Sequence, residues 1–235
     1  MAMLWLRLAA DQDHTGAQYL LGQLHENGWG VNSCDTVALE WYHKAAENRH
    51  RDAQYMVGLF LNLGRGIEQN DQQAAQWLLE AALQDQPEAQ HCLGILHEVG
   101  QGVTKDTESA TGWFIEAAKG GHSEAQYEAG IRLLKGRGIS KDAKEGTKFL
   151  RKAAWQGQEG AQLELGHCYL NGIGVAQNDE EAAFWFLIVE RKGNHSLRLH
   201  IQEALSPLSI RQTRQLGQRI KGFEIGNEVR TTTYQ

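Results

Sequence analysis

Histidines next to cysteine or glutamate are the residues of this chain that could bind zinc or support hydrolysis. They occur as His91-Cys92, His167-Cys168, His25-Glu26 and His97-Glu98. A zinc site needs three or four converging ligands, usually at CxxC or HxxxH spacing, and neither spacing is present. The His-Glu pairs also lack the second histidine of an HExxH motif. We therefore predict no metal site.

Five Gly-x-Gly pairs have the composition of a phosphate-binding loop. They are Gly28/Gly30, Gly64/Gly66, Gly100/Gly102, Gly136/Gly138 and Gly172/Gly174. A nucleotide-binding loop of this type follows a β-strand, whereas each of these pairs follows a predicted helix. No serine, threonine or cysteine has an evident catalytic base in the sequence around it. These patterns predict a chain that is not an enzyme and carries no cofactor.

The composition excludes several classes of partner. The formal net charge is −6, and nonspecific nucleic-acid binding requires a basic face that neutralises phosphates. No apolar stretch approaches the roughly 20 residues that span a bilayer. Cys34, Cys92 and Cys168 form no paired disulfide framework, and we interpret them as inert thiols. We therefore expect a protein partner, with neither nucleic-acid binding nor membrane insertion.

The sequence repeats with a period of 36 residues. Ala-Gln recurs at Ala17-Gln18, Ala53-Gln54, Ala89-Gln90, Ala125-Gln126 and Ala161-Gln162. Single glycines keep the same step at Gly22, Gly58, Gly94, Gly130 and Gly166. An aromatic column completes the register with Trp5, Trp41, Trp77, Trp113, Phe149 and Trp185. Because no insertion or deletion interrupts this register, we predict a stack of equivalent units.

Apolar residues within each unit recur at helical spacing, which predicts two helices per unit. The first helix is predicted to end at the first glycine of Gly-x-Gly, which adopts the left-handed C-cap conformation at little cost. The second is predicted to begin after an asparagine or aspartate N-cap. The N-cap candidates are Asn70, Asp106, Asp142 and Asn178, with Asp35 in the first unit.

Small residues in the helices predict how the units pack. A glycine in a helix interior costs about 1 kcal/mol relative to alanine, so the column headed by Gly22 predicts a close approach of two helices. The aromatic column headed by Trp41 is predicted to fill the space between layers, beside Ala45-Ala46. One hairpin cannot bury its own apolar stripe, so stability is predicted to come from contacts between neighbouring hairpins.

The combined pattern A…LG…G-x-G…D…A…W-x-x-x-A-A at period 36 resembles the Sel1-like repeat family, a relative of the tetratricopeptide repeats. The resemblance covers about residues 1–193. It implies an all-α fold, a right-handed α-solenoid or superhelix of helix-turn-helix repeats, with an adaptor or inhibitor role and no catalysis. Unit four departs from the pattern at Gly146 and Phe149, and unit five has Val189-Glu190 in place of the Ala-Ala pair.

The register also predicts the organisation of the chain. We expect a half repeat at 1–13 and full repeats at 14–49, 50–85, 86–121, 122–157 and 158–193. Capping helices are expected at 194–223, followed by a flexible tail at 224–235.

A binding surface is predicted on the first helices, which line the concave face of the related tetratricopeptide hairpins. The candidate partner-binding residues form three sets: Tyr19, Tyr55, His91, Tyr127 and Leu163; Glu26, Asn62 and Glu98; and the acidic Asp52, Glu88 and Glu124. Tyrosine is enriched on protein-recognition surfaces, and the acidic residues would steer a basic ligand towards the groove. A further row, headed by Gln23, either packs between repeats or faces the partner.

The resemblance and this surface together predict a protein-protein interaction module that binds a partner through its concave face. One version is a bacterial immunity or inhibitor protein that neutralises a secreted toxin such as a lipase effector. The alternative is an adaptor or scaffold subunit that recruits an enzyme or an envelope or signalling complex. The neighbouring genes would separate the two versions. Both the bacterial periplasm and the cytoplasm stay open as compartments.

The N-terminal half repeat carries an apolar stripe that needs a cover. Trp5 aligns with the second helix of a unit, so the sequence begins halfway through a hairpin. Leu4 and Leu8 align with polar or small residues in units one to four, but with Phe184 and Ile188 in unit five, where a cap follows. We expect either residues upstream or self-association through this half repeat to cover the stripe.

Overall fold

The computed structural model describes residues 2–193 and 197–232, with side chains for 3–193 and 197–223. This part of the chain is all-α and contains no strand. Its helices are α1 (Ala2–Ala10), α2 (Thr15–Asn27), α3 (Asp35–Glu47), α4 (Arg51–Leu63), α5 (Asp71–Ala82), α6 (Pro87–Val99), α7 (Thr107–Lys119), α8 (Ser123–Lys135), α9 (Ala143–Trp155), α10 (Glu159–Asn171), α11 (Asp179–Arg191), α12 (Arg198–Leu205) and α13 (Ile210–Thr232). Residues 194–196 of the predicted cap and 233–235 of the predicted tail lie outside the described residues.

Consecutive helices pack in pairs, as in an α-solenoid, so the predicted fold class is confirmed. The chain divides into two compact units, Met1–His122 and Ser123–Gln235. Unit 1 contains α1 and the hairpins α2–α3, α4–α5 and α6–α7. Unit 2 contains the hairpins α8–α9 and α10–α11, followed by α12 and α13.

The first helices of four hairpins end at the predicted glycines. Gly28, Gly64, Gly100 and Gly172 are left-handed C-caps with φ of 70°, 66°, 81° and 65°. Each cap N–H donates to the carbonyl four residues back, which satisfies one of the unpaired carbonyls at the helix end. The chain can therefore reverse sharply into the second helix of the hairpin.

Four of the five predicted N-caps are confirmed, and the fifth is wrong. Side chains of Asn70, Asp106, Asp142 and Asn178 accept hydrogen bonds from backbone N–H groups in the first turn of their helices. In the first full repeat the N-cap is Cys34, which makes no side-chain capping bond, and Asp35 is the first residue of α3. The period explains the error, because Cys34 and not Asp35 lies 36 residues before Asn70.

The interior glycines of unit 1 receive large side chains from the second helix of the same hairpin. A Cβ added to Gly22 would lie 2.5 Å from the Tyr42 ring. A Cβ at Gly58 would lie 2.7 Å from Leu78. The column that fills the glycine notch is therefore the one directly after the tryptophans, headed by Tyr42, and the predicted close approach of the helices is confirmed.

Unit 2 repeats this arrangement. A Cβ at Gly130 would lie 2.7 Å from Leu150, and one at Gly166 would lie 2.5 Å from Phe186. The tryptophan column itself has a varied role across the chain. Trp185 is fully buried, whereas Trp5 is 68% exposed. Only some residues of this column therefore fill space inside the fold as predicted.

Within each unit, the Ala-Gln pairs connect a hairpin to the helix before it. In unit 1, the Nε2 atoms of Gln18, Gln54 and Gln90 donate to the carbonyls of Ala10, Ala46 and Ala82 at 3.1, 3.3 and 3.1 Å. In unit 2, Gln162 donates to the Ala154 carbonyl at 3.0 Å. Because these glutamines are buried, each satisfies a carbonyl at the C-terminal end of a helix that water does not reach.

The second glycine of Gly-x-Gly makes another contact between hairpins. Gly66 packs against the backbone of Asp35, at the start of the preceding second helix, and Gly102 packs in the same way against Asp71. Gly174 does so against Ala143 in unit 2. A Cβ added to Gly30 would have no other atom within 4 Å, so Gly30 makes no such contact. The contact explains why a residue without a side chain stands at the three packed positions.

Helix α13 packs against the last hairpin of unit 2, in the segment for which a cap was predicted. Phe223 packs edge-on against Phe184, with ring centroids 5.7 Å apart. Arg219 lies 4.3 Å from the centre of the same ring and forms an ion pair with Glu181 at 2.7 Å. Helix α13 continues to Thr232, nine residues past Phe223, into the segment for which a tail was predicted. No proline interrupts this segment, so the helix has no obligatory stop there.

None of the helices within the described residues is long and apolar enough to cross a membrane.

Candidate protein-binding surface

The row of candidate residues on the first helices, here called the first-helix row, is half-buried throughout. In unit 1 it consists of Tyr19 on α2, Tyr55 on α4 and His91 on α6. In unit 2 it consists of Tyr127 on α8 and Leu163 on α10. Each side chain therefore has one part packed against the fold and another part open to solvent.

Tyr19 is held by the following hairpin. Its ring stacks on His50 at a centroid distance of 4.7 Å, and it packs at a tilt against Tyr42 at 5.6 Å. His50 is the N-cap of α4, and its Nδ1 accepts a hydrogen bond from the Ala53 N–H at 3.3 Å. Because the cap fixes the imidazole, the ring of Tyr19 has a defined orientation.

His91 is placed in an equivalent way. Its ring stacks on His122 at 4.3 Å and packs at a tilt against Phe114 at 5.5 Å. His50 and His122 each lie 31 residues after the row residue on which they stack, and the prediction missed both. This common spacing was the signal in the sequence that could have indicated them. It places each histidine directly before the first helix of a repeat.

Tyr55 and Tyr127 pack against the cores of their own units. Tyr55 contacts the core cluster that contains Leu78 and Leu93. Tyr127 lies beside α10, since a Cβ added to Gly160 would come within 3.1 Å of its Cζ. Leu163 packs against the same core as Tyr127.

The tyrosine hydroxyls lie in a negative electrostatic environment. Burial raises the pKa of Tyr19, and the carboxylates of Asp52 and Glu26 raise it further. Burial raises the pKa of Tyr55 to about 12, with further contributions from Cys92 and Glu88. Both hydroxyls therefore stay protonated and remain available as hydrogen-bond donors at neutral pH.

The three acidic candidates lie in the first turn of their helices. Asp52 contacts Arg51 at 3.2 Å and accepts a long hydrogen bond from Gln86 at 3.5 Å. The Arg51 pair is partly exposed, so it contributes little to stability. Glu88 and Glu124 are exposed. These carboxylates can attract a basic ligand over a distance of about 10 Å at moderate salt.

Two residues of the second candidate set are engaged within the fold. Glu26 accepts hydrogen bonds from the Tyr42 hydroxyl at 2.6 Å and from Arg65 at 2.8 Å, so its carboxylate connects the first two hairpins. Asn62 donates to Asp71 at 3.4 Å. Glu98 is half-buried on α6.

The histidine and cysteine pairs do not form a cluster of ligands. Among the described side chains, no group of three or more His, Cys, Asp or Glu residues is arranged to hold a metal ion. Burial raises the pKa of the Cys92 thiol to about 11, which keeps it in the unreactive protonated form.

Comparison with protein families identifies the repeat. The Sel1 repeat matches residues 1–14, 15–50, 51–86, 87–122, 123–158 and 160–193. The chain belongs to the Sel1 repeat family. Sel1 repeat proteins generally mediate protein-protein interactions, and their fold is typically a non-catalytic scaffold.

Two solved structures support the assignment to the Sel1 repeat family. A Sel1 repeat protein from Oxalobacter formigenes is 32% identical, with a TM-score of 0.74 over 83% of this chain and 81% of that chain. The protective antigen c5321 of uropathogenic Escherichia coli, which has the same repeat fold, is 30% identical with a TM-score of 0.76. That match covers 94% of this chain and 48% of the antigen.

A third structure, the immunity protein Pa5087 from Pseudomonas aeruginosa, is 20% identical with a TM-score of 0.48 over 80% of this chain and 72% of that chain. This likeness is too weak to bear on function. No curated protein matches the chain significantly.

Proposed function

We propose that this Sel1 repeat protein binds a partner protein through the first-helix row and has no catalytic role of its own. The observation that carries the proposal is the fixed, half-exposed state of the aromatic rings of the row. Tyr19 and His91 are each stacked on a histidine 31 residues later in the chain, His50 and His122. A surface that is rigid before binding loses less conformational entropy when the partner docks.

The chemistry of the row suits protein recognition. Tyrosine offers a large apolar face and a hydroxyl donor on one rigid side chain, and it is enriched among the residues that dominate binding energy. Asp52 and Glu88 lie close enough to Tyr19 and Tyr55 to raise their pKa values. We therefore expect the partner to present a surface that is apolar at its centre and basic at its edge.

Two kinds of partner fit this proposal. The first is a secreted toxin such as a lipase effector, which the bound repeat protein would neutralise as a bacterial immunity protein. The second is an enzyme or complex that the chain recruits as an adaptor. Adding the chain to the purified partner separates them, since an inhibitor abolishes activity at a one-to-one ratio and an adaptor leaves it unchanged.

Affinity capture with a variant of the row tests the surface. We expect Tyr19→Ala/Tyr55→Ala/Tyr127→Ala to lose partner binding by at least about 30-fold, since truncation of a hot-spot tyrosine costs about 2 kcal/mol or more. Trp29→Ala is the matched control, because Trp29 is an exposed aromatic residue (62%) outside the row. Circular dichroism verifies folding, and a Tyr→Phe triple variant keeps the packed rings while removing the hydroxyls. Undiminished capture by a folded alanine variant would contradict the proposal.

A further inference from the structure

A cavity of about 670 Å³ opens in unit 1 among the end of α3, the start of α4 and one side of α5. None of the residues of the first-helix row lines it. Its wall consists of Ala46, Glu47, Arg49, Gln54, Gln73, Gln76, Trp77 and Glu80. The indole of Trp77 is half-buried in this wall, and the edge of His43 packs against it at 5.5 Å.

Other repeats of the same chain show what covers an aromatic ring at this position. In the first repeat, Lys44 Nζ lies 4.1 Å from the centre of the Trp41 ring. In unit 2, Lys152 Nζ lies 5.7 Å from the centre of the Phe149 ring. In both cases the lysine comes three residues after the aromatic residue, so the two side chains share one face of the helix. In these two repeats a cation is therefore placed to interact with the face of the ring.

The repeat that contains Trp77 lacks this cation. A glutamate, Glu80, occupies the position of Lys44, and no cation among the described side chains lies over the Trp77 ring. The other glutamate of this column, Glu116, forms an ion pair with Lys119 at 2.7 Å. Position 83 holds Leu83 where Lys119 stands in the next repeat, so Glu80 has no such partner.

We infer that this cavity binds a lysine or arginine side chain of a partner protein. The ligand's cation would lie over the Trp77 ring, as Lys44 does over Trp41, and would pair with Glu80 and Glu47. Arg49 also lines the cavity, and its charge offsets only one of the two carboxylates. The charge of unit 1 favours such a ligand, with 7 Lys and Arg against 16 Asp and Glu, a net charge of −9. This site is separate from the first-helix row, so it can be present or absent whether or not the row binds a partner.

Titration of the full chain, labelled with ¹⁵N in its tryptophan indoles, tests the site directly. The Trp77 signal is assigned with Trp77→Phe. The probes are blocked Gly-Lys-Gly and Gly-Arg-Gly peptides, with Gly-Gln-Gly as the uncharged match and methylammonium as the free cation. We expect the Trp77 signal to shift with the two basic peptides and not with the glutamine peptide.

Glu80→Lys is the decisive variant. It places a lysine three residues after the tryptophan, as in the first repeat, so we expect the fold to tolerate the change and the new side chain to lie over the ring. We expect basic peptides to bind at least about tenfold more weakly. Glu68→Lys changes the net charge equally at an exposed turn. This control variant should change peptide binding at the Trp77 cavity by no more than about twofold. If Glu80→Lys fails to fold, Glu80→Gln replaces it, with a loss of several-fold expected.

Three results would overturn the inference. The first is a Trp77 shift that is equal for the lysine and glutamine peptides, or absent for both basic peptides at millimolar concentration. The second is undiminished binding by folded Glu80→Lys or Glu80→Gln. The third is saturation by methylammonium without binding of either basic peptide, which would identify a site for small amines instead of a protein side chain.

Discussion

At the scale of single residues, the buried glutamines have a second requirement besides the alanine carbonyl. Each also has an amide oxygen, and a buried acceptor without a donor is unfavourable. Gln84 donates to Gln54 at 2.6 Å, and Lys192 donates to Gln162 at 3.1 Å. The oxygen of Gln18 is buried and has no partner. The position that would supply the donor holds Asn48, which is one methylene shorter and bonds instead to the Lys44 carbonyl at 3.2 Å.

Asn48→Gln should therefore stabilise the chain. We expect the longer amide to reach the Gln18 oxygen, as Gln84 reaches Gln54, and to raise the free energy of unfolding by about 1 kcal/mol. Asn27→Gln is the control, because Asn27 also bonds to a carbonyl at the exposed end of its helix. Thermal unfolding of the two variants measures the difference. An equal change in both would show that the Gln18 oxygen gains nothing from the substitution.

Local chemistry determined which residues could be predicted at this scale. The caps at Asn70 and Asp106 depend on a few neighbouring backbone groups, so the sequence alone indicates them. The engagement of Glu26 depends on Arg65, which is 39 residues away and reaches it only after two hairpins have packed. The sequence of the first repeat alone therefore does not indicate that contact. The contact between hairpins is an additional role of Glu26, which the prediction placed on the binding surface.

At the scale of helices, each hairpin is fitted together by a glycine and a large residue 20 positions later. In the third hairpin of unit 1 they are Gly94 and Phe114. The sequence indicated that Gly94 must lie at a close approach, because a helix-interior glycine is otherwise unfavourable. It did not indicate which residue approaches, since Trp113 and Phe114 are adjacent and both aromatic. Neighbouring residues on a helix point about 100° apart, so only one of the two can face Gly94, and in the structure it is Phe114.

Gly94→Ala and Gly112→Ala should have opposite effects on stability. A Cβ at Gly94 would lie 2.7 Å from the Phe114 ring, whereas a Cβ at Gly112 has nothing within 4 Å. We expect Gly94→Ala to lower the free energy of unfolding by about 1–3 kcal/mol through overpacking. Gly112→Ala should raise it by about 1 kcal/mol through helix propensity alone.

Urea unfolding of both variants measures these changes. Adding Phe114→Leu to Gly94→Ala should not recover the loss, since Leu78 fills the equivalent notch just as closely, 2.7 Å from a Cβ added to Gly58. Stabilisation by Gly94→Ala would show that the ring moves aside without cost and that the notch is not a tight contact.

At the scale of the whole molecule, the period predicted the repeats and left the ends unresolved. The interior repeats are fixed by one register of caps, notches and glutamines, so a single pattern describes them. The ends have neighbours of a different kind. Phe184 is covered by the cap in unit 2, whereas Leu4, Trp5 and Leu8 are 58%, 68% and 44% exposed in unit 1. An apolar cavity of about 540 Å³, lined in part by Trp5 and Leu20, opens beside them.

We predict self-association through this N-terminal face, because exposed apolar patches of this kind favour burial against another surface. Leu4→Glu/Leu8→Glu should abolish it without unfolding the chain, since neither side chain is buried. Leu83→Glu is the control, with a leucine that is 66% exposed at another site. Sedimentation velocity over a range of concentrations measures the effect. A wild-type chain that is monomeric throughout that range would contradict the prediction.

The two backbone contacts between hairpins also limit how such a gene can change its length. The bond from Gln54 to the Ala46 carbonyl spans a connector of fixed length, and the contact of Gly66 with Asp35 fixes the turn that follows. A single inserted codon in either segment would break one of these contacts, whereas duplication of a complete 36-residue unit would restore both in the new copy. Unequal recombination in whole repeats is therefore the easy route to longer or shorter relatives of this protein. An engineer who wishes to extend it should splice it in the same increments.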